Sequence, residues 1–398
     1  MFMQAIYWGT VCSILGYTVT YMKDLGYSNS YIGVALAIAN ALSAIMQPII
    51  ANIADKNPKW TIVRVNTVLS ILMLIGSAAM IVYKSATLIL TLLIGVITVV
   101  NGLIQPFLNS LAVALQKNGI NLNYGVCRAA GSLFYAIVSS ILGELLTVFP
   151  SRILPVASTI LCALLLVAAL INKVNVSDKS DNIDKSEAIS KDDAEATPLL
   201  EFIVKNKRFS IYNIGVSLVF YMHMVMTTYL IQIVENVGGD SSNMGFSLGL
   251  AAALELPAMI GFSFIVKKIK VQTLLRISAV SFTAKALAMT LATNPGMIYA
   301  AQIIQMTAFA LYIPSSVYYV GHLFKNSDMN KGQSMSTMTL TVGSFFSSLF
   351  TGYLIDKYSV NTMMWISLAV SVVGTVIMIA TIQEFDDDFD VKSCGETV

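Results

Sequence analysis

The sequence predicts an all-α membrane protein in which twelve transmembrane helices form two pseudo-symmetric six-helix halves. Three observations carry that expectation. Hydrophobic residues make up 56% and charged residues 12% of the 398-residue chain, and its mean hydropathy is +0.74. A soluble globular chain carries about 25% charged residues. Apolar segments of helix length recur twelve times along the chain, each near the roughly 20 residues that a hydrocarbon core requires. The last six also resemble the first six at a constant spacing.

The first six segments lie near residues 4–22, 31–52, 62–83, 87–115, 124–147 and 152–172. The opening residues, MFMQAIYWG, contain no basic stretch, and the apolar run after them lacks a convincing cleavage site. They therefore read as a retained first helix rather than a signal peptide. Residues 173–208, KVNVSDKSDNIDKSEAISKDDAEATPLLEFIVKNKR, are polar and of mixed charge, which predicts a flexible linker on the cytoplasmic side. The second six segments lie near 209–234, 243–266, 271–292, 296–320, 332–355 and 362–382. The acidic stretch Glu384–Val398 reads as a solvated cytoplasmic tail. The expected organisation is a first half over 1–172, a linker over 173–208, a second half over 209–383 and a tail over 384–398.

A shift of 212 residues lays Asp24-Leu-Gly-Tyr-Ser-Asn-Ser-Tyr-Ile-Gly33 on Asn236-Val-Gly-Gly-Asp-Ser-Ser-Asn-Met-Gly245, and Thr61-Ile-Val-Arg64 on Thr273-Leu-Leu-Arg276. It also lays Gly131-Ser-Leu-Phe134 on Gly343-Ser-Phe-Phe346. Pro106 and Pro314 correspond at a shift of 208. Pro48, Pro106, Pro257 and Pro314 fall inside segments two, four, eight and ten, where a missing hydrogen bond permits bending. With both termini placed inside, the inner segments hold 18 Lys and Arg and the outer loops 4. This asymmetry predicts a multi-pass protein of the cell membrane with cytoplasmic N- and C-termini.

Within this apolar background, charged residues stand out. Tyr124 to Leu145, YGVCRAAGSLFYAIVSSILGEL, places Arg128 inside a spanning segment. A cation at a helix centre costs roughly 2.5–3.5 kcal/mol on insertion scales, so such a residue faces a protein interior or an aqueous cavity unless it snorkels to the interface. Gly125, Ala129, Ala130, Gly131 and Ser132 leave room around it, and its planar fork of donors suits a polyhydroxylated or anionic ligand. Glu255 and Lys285 lie deep in segments eight and nine. Lys285 could neutralise a carboxylate, with Glu255 one option. His223 reads either as a packing residue or as a proton relay. Glu144 lies near an outer helix end, where solvation suffices.

The sequence resembles the major facilitator transporters. Gln47-Pro-Ile-Ile-Ala-Asn-Ile-Ala-Asp-Lys56 is similar to their signature loop after helix 2, with Ala51 at the usual glycine. The resemblance makes Asp55 and Lys56 gating residues on the cytoplasmic side. Gly125-Val-Cys-Arg-Ala-Ala-Gly131 resembles the helix-5 motif of the lactose permease and related oligosaccharide or nucleoside proton symporters, as does Ile214-Gly-Val-Ser217 on helix 7. It sets Arg128 on their sugar-binding arginine and Tyr135 on the aromatic against which the sugar stacks. Leu254-Glu255-Leu-Pro257 fits the helix-8 segment whose glutamate contacts sugar and takes part in proton coupling. The resemblance also implies a site at the midplane between the halves.

The departures are as informative. The position of a ligand-binding glutamate on helix 4 falls on Ser110, beside Asn109. Helix 7 offers Tyr221 and His223 where the family has aspartates, helix 9 has Lys285 near the expected arginine, and helix 10 has Gln305, Phe309 and Tyr312 where a His or Glu is expected. The substrate set is therefore Arg128, Tyr135, Glu255, Asn109 and Ser110, and the coupling set is Glu255, Lys285 and His223. The helix-1 aromatics Tyr7, Trp8 and Tyr17 are either packing groups or stacking surfaces.

No nucleophile elbow, zinc-spaced His or Cys set or phosphate-cradling glycine loop occurs in the sequence, which argues against an enzyme and against ATP-driven transport. Cys12, Cys127, Cys162 and Cys394 show neither metal nor disulfide spacing. No cofactor, metal or nucleic acid is expected. The expectation is a monomeric secondary transporter that takes up a di- or oligosaccharide with protons. A nucleoside symporter and a drug efflux transporter are the alternatives within transport, and a non-transporting membrane sensor is the alternative outside it. Arg128 and Glu255 favour a hydroxyl-rich ligand over an apolar drug.

Overall fold

The computed structural model describes residues 1–57, 59–83, 85–117, 124–177, 199–324 and 327–385. Among these residues every regular element is helical. In order they are α1 (Phe2–Val11), α2 (Thr18–Asp24), α3 (Asn29–Lys56), α4 (Ile62–Met80), α5 (Leu88–Lys117), α6 (Tyr124–Val148) and α7 (Ile153–Ser177). They continue with α8 (Leu199–Lys205), α9 (Lys207–Thr228), α10 (Leu230–Asn236), α11 (Ser241–Ile265), α12 (Val271–Thr290) and α13 (Pro295–Ile303). The last are α14 (Phe309–Leu323), α15 (Ser327–Lys357) and α16 (Val360–Thr381). Local chemistry sets several starts. Ser28, Thr61 and Asn294 accept from the backbone N–H three residues on, and Pro295 follows its cap, which satisfies amides that an open helix end leaves bare.

Ten described helices are long and apolar enough to cross a membrane, and the two remaining expected spans differ for separate reasons. A π turn at Cys12–Gly16 divides the first into α1 and α2. In α12, Gln272, Arg276 and Lys285 lower the hydropathy of a helix of full length. Pro48, Pro106, Pro257 and Pro314 all lie inside helices, as the sequence predicts. The stretch expected as a featureless linker is helical at both ends: α7 runs on to Ser177, and Leu199–Lys205 forms α8. Phe202 explains the second departure. It is buried, its ring 5.1 Å from Phe324, which meets Phe209 in turn at 4.9 Å.

The chain divides into two compact units. The first comprises Met1–Ile183 with Thr227–Ala253 and Phe345–Val360, and the second comprises Asp184–Met226, Leu254–Ser344 and Asn361–Val398. Tyr7, Met73, Ile97, Ile104 and Leu165 belong to the core of the first, and Phe209, Tyr212, Phe220, Phe282 and Tyr312 to that of the second.

Within the first unit the repeat becomes geometry. Gly26 and Gly238, 212 residues apart, both adopt a positive φ, +92° and +78°, which a side chain would resist. Tyr17 and Tyr229, also 212 apart, each sit where a spanning segment breaks. Each donates its hydroxyl to a main-chain carbonyl, Tyr17 to Ser139 at 2.6 Å and Tyr229 to Ser348 at 3.2 Å. The same two carbonyls face Gly245 and Gly33, where any side chain would collide with them. Lys23 pairs with Glu235, its own repeat mate, and a residue that touches its mate lies beside the pseudo-twofold axis.

A carboxylate fastens this end. Asp356 of α15 accepts from the backbone N–H of Asn29 at 3.2 Å and its Nδ2 at 2.8 Å, and from the N–H of Ser30 at 2.7 Å and its Oγ at 2.6 Å. It caps the positive end of α3. Gln232 adds a bond to Asn29 Oδ1 at 2.9 Å. The contacts are partly exposed, so the carboxylate contributes about 1 kcal/mol after screening. Asp356→Asn is expected to raise maleimide labelling of Thr20→Cys, buried beside Met244, by roughly fivefold in a background lacking native cysteines. Unchanged labelling would mean that the cap does not hold this end together.

Candidate functional site

Two polar clusters stand out against the apolar packing, one in each unit. The first is built on α1 and α6. Gly131 presents its Cα directly to the Trp8 indole, where a Cβ would collide with the ring, so α1 approaches closely enough to lay Trp8 over Arg128. The guanidinium carbon stands 4.0 Å from the indole centroid, a cation–π contact worth about 0.5–2 kcal/mol. Nη1 of Arg128 donates to Ser132 Oγ one turn on, at 2.9 Å. Tyr7 meets Trp8 edge-on at 5.7 Å and donates its hydroxyl to the Asn101 carbonyl at 3.1 Å, which holds the aromatic pair in place. Arg128 is half-buried, so a stacked and tethered fork remains accessible.

The other residues expected around Arg128 divide. Asn109 is half-buried and accepts from Gln4 Nε2 of α1 at 3.3 Å, whereas Ser110 is exposed. Tyr135 is half-buried with its hydroxyl against Gly16 and hydrogen-bonded to Cys12, at the π turn. Asp55 lies in α3, but its side chain is outside the described residues, and Lys56 is exposed at the end of that helix. Glu144 accepts from Ser242 Oγ at 2.5 Å.

The second cluster joins α11, α12 and the break in the tenth span. Lys285 is 3% exposed, and its Nζ donates to Gln305 Oε1 at 2.6 Å. Gln305 Nε2 donates in turn to Glu255 Oε1 at 2.9 Å. Glu255 is half-buried, two residues before Pro257. A carboxylate and a buried ammonium thus belong to one hydrogen-bonded chain, although they were expected to meet directly. His223 is packed in rings: it stacks on Phe309 at 5.0 Å and meets Phe282 and Phe220 edge-on at 5.4 and 5.6 Å. Among the described residues no group of three His, Cys, Asp or Glu side chains could hold a metal.

Two members of these clusters carry little weight in sequence reasoning. Trp8 reads as an ordinary apolar aromatic, and only the glycine three residues after Arg128 hints at the close approach. Gln305 reads as a gap in a motif, whereas it is the bridge.

The comparisons decide the family. A model of the MFS_1 like family matches residues 2–380. The chain belongs to the MFS_1 like family. It is similar to a maltose permease of Geobacillus stearothermophilus, 21% identical over 279 residues, which covers 69% of this chain and 67% of that protein. A putative sugar efflux transporter of Deinococcus radiodurans is 25% identical over 131 residues, a third of each chain. Among solved structures, the nucleoside transporter NupG superposes with a TM-score of 0.76 at 16% identity, over 96% of this chain and 97% of that one. A bacterial homolog of the human lysosomal transporter Spinster, inward-facing and occupied, gives 0.68 at 14% identity over 96% and 95%. This MFS_1 like chain is therefore a multi-pass membrane transporter of a small molecule with the major facilitator fold, and not an enzyme.

Proposed function

We propose that this transporter takes up a neutral di- or oligosaccharide together with protons, from a cell membrane in which both termini face the cytoplasm. The observation that carries the reading is Arg128 stacked on Trp8 at 4.0 Å and tethered to Ser132. A guanidinium fork offers paired donors to vicinal hydroxyls, and an aromatic beside it offers a face for sugar C–H groups. Glu255 supplies the complementary acceptor and the group whose protonation changes during transport. The similarity to a maltose permease supports a sugar. Asp55 and Lys56 are assigned to the cytoplasmic gate, and Asn109 and Ser110 to the periphery of the substrate site. His223 keeps a secondary place in coupling, because its three aromatic neighbours suit packing.

A nucleoside is the second reading, favoured by the half-buried indole of Trp8, on which a base could stack. A ligand panel on the purified protein separates the two. Only ligands that bind the folded state raise its melting temperature. Maltose, lactose and other disaccharides are expected to do so in the millimolar range, while uridine and the lipophilic cation tetraphenylphosphonium are not. Stabilisation by uridine alone would replace the sugar with a nucleoside, and stabilisation by the lipophilic cation alone would make the protein a drug transporter.

A further inference from the structure

The tenth spanning segment is interrupted in the membrane without a proline or glycine at the break. After α13 the chain makes a 3-10 turn at Ile304–Met306, and the helix resumes only at Phe309, past Ala308 at φ −81° and ψ −89°. Ser278 of α12 donates its hydroxyl to the Ala308 carbonyl at 2.7 Å, which satisfies a main-chain group that the break exposes to an apolar medium. Lys285 lies seven residues after Ser278, two turns along the same face of α12. One helix face therefore supplies both the clasp for the break and the ammonium that meets Gln305, the residue in the middle of the 3-10 turn.

Gln305 is 3% exposed and uses both ends of its amide. An ammonium only donates and a carboxylate only accepts, so an amide between them has one satisfied orientation, with its oxygen toward Lys285 and its nitrogen toward Glu255. The distances, 2.6 and 2.9 Å, match that orientation. Among the described residues, it is Gln305 that accepts the hydrogen bond of Lys285. The amide has two further properties that a direct ion pair or a titratable bridge would lack. It does not ionise, so any proton taken up in this chain is held by Glu255 or Lys285. It also keeps the two charges one side chain apart, which avoids the deep lock of a contacting buried pair whose separation is strongly unfavourable.

We propose that Gln305 is a positioning residue that couples Glu255 to Lys285, so that substrate or a proton at Glu255 is registered at the buried ammonium through the amide. The proposal rests on the reading of Glu255 as a substrate and coupling group. It predicts that Gln305 matters because of Lys285. The test is a double-mutant cycle in the full-length protein, with Gln305→Leu introduced alone and in a Lys285→Met background. Two readouts apply: the melting temperature without substrate, and the KM and kcat of radiolabelled maltose uptake in proteoliposomes.

Gln305→Leu alone is expected to lower the melting temperature by roughly 3 °C, because it strips a buried ammonium of its acceptor. It is also expected to raise the KM for maltose about tenfold. In the Lys285→Met background the same change is expected to move the melting temperature by less than about 1 °C and to leave KM nearly unchanged. Equal effects in the two backgrounds would overturn the proposal and reduce Gln305 to packing in a broken helix. If the unmodified protein moves no maltose, the sugar reading fails, and the substrate-free melting cycle alone decides the role of Gln305. A Gln305→Leu protein that melts and transports like the unmodified one overturns the proposal outright.

Discussion

Arg128→Lys is expected to weaken substrate binding roughly 30- to 700-fold, with the protein inserted and melting near its normal temperature. The size follows from removing one partner of a desolvated, charge-assisted contact, about 2–4 kcal/mol. Lysine keeps the charge but gives up the planar fork, and its strongly hydrated ammonium stacks less well on the indole that lies 4.0 Å from the guanidinium. Trp8→Leu should cost less, about 0.5–2 kcal/mol, since it removes the stacking surface and leaves the fork tethered to Ser132. The check is the Kd for maltose by isothermal calorimetry in detergent. Near-normal affinity in the lysine variant would make Arg128 a structural cation that anchors α1 to α6.

Glu255→Gln is expected to abolish accumulation against a gradient while leaving downhill exchange measurable. A carboxamide can accept a hydrogen bond from a sugar hydroxyl but cannot take up a proton, so the variant keeps part of the binding and loses the coupling. Gln305 would still find an acceptor at position 255, so the chain to Lys285 should hold together. The measurement is maltose uptake into vesicles with an imposed pH difference. Internal maltose should stop rising once it equals the external concentration, and its level should no longer respond to the pH difference. A glutamine variant that still concentrates maltose would move coupling elsewhere, with His223 the next residue to change.

Much of the fold is legible because a bilayer leaves the chain few choices. With water excluded, the backbone must satisfy itself within each segment, so apolar length alone locates the spans, and the prolines at 48, 106, 257 and 314 fall inside helices as expected. The repeat is legible for the same reason. Gly26 and Gly238 answer one steric demand 212 residues apart. The interruptions were not legible, because tertiary contacts make them. The π turn at Cys12–Gly16 and the break after Ile304 follow no proline, and the second is clasped by a serine from another helix. Nor did α8 announce itself: LLEFIVK is too short to show a helical period, and it folds where Phe202 is buried beside Phe324.

The candidate site was legible in its charges and illegible in its neighbours. Arg128, Glu255 and Lys285 stand out in the sequence because charge is rare in a spanning helix. What each charge touches depends on distant residues. Trp8 lies 120 positions before Arg128, and Gln305 stands 50 positions after Glu255 and 20 after Lys285. Neither pairing follows from periodicity along one helix. Neutral side chains such as Trp8 and Gln305 are common in membrane segments, so only their geometry gives them a role.

The central claim is that substrate moves together with protons. The most direct measurement places the purified, unmodified protein in liposomes loaded with a pH-sensitive dye, with no ion gradient imposed, and adds maltose outside. The account predicts that the lumen acidifies as maltose enters, that a protonophore abolishes the signal, and that liposomes containing Glu255→Gln give none. Entry of maltose with no change in lumenal pH would contradict the account and make the protein a uniporter or one coupled to another ion.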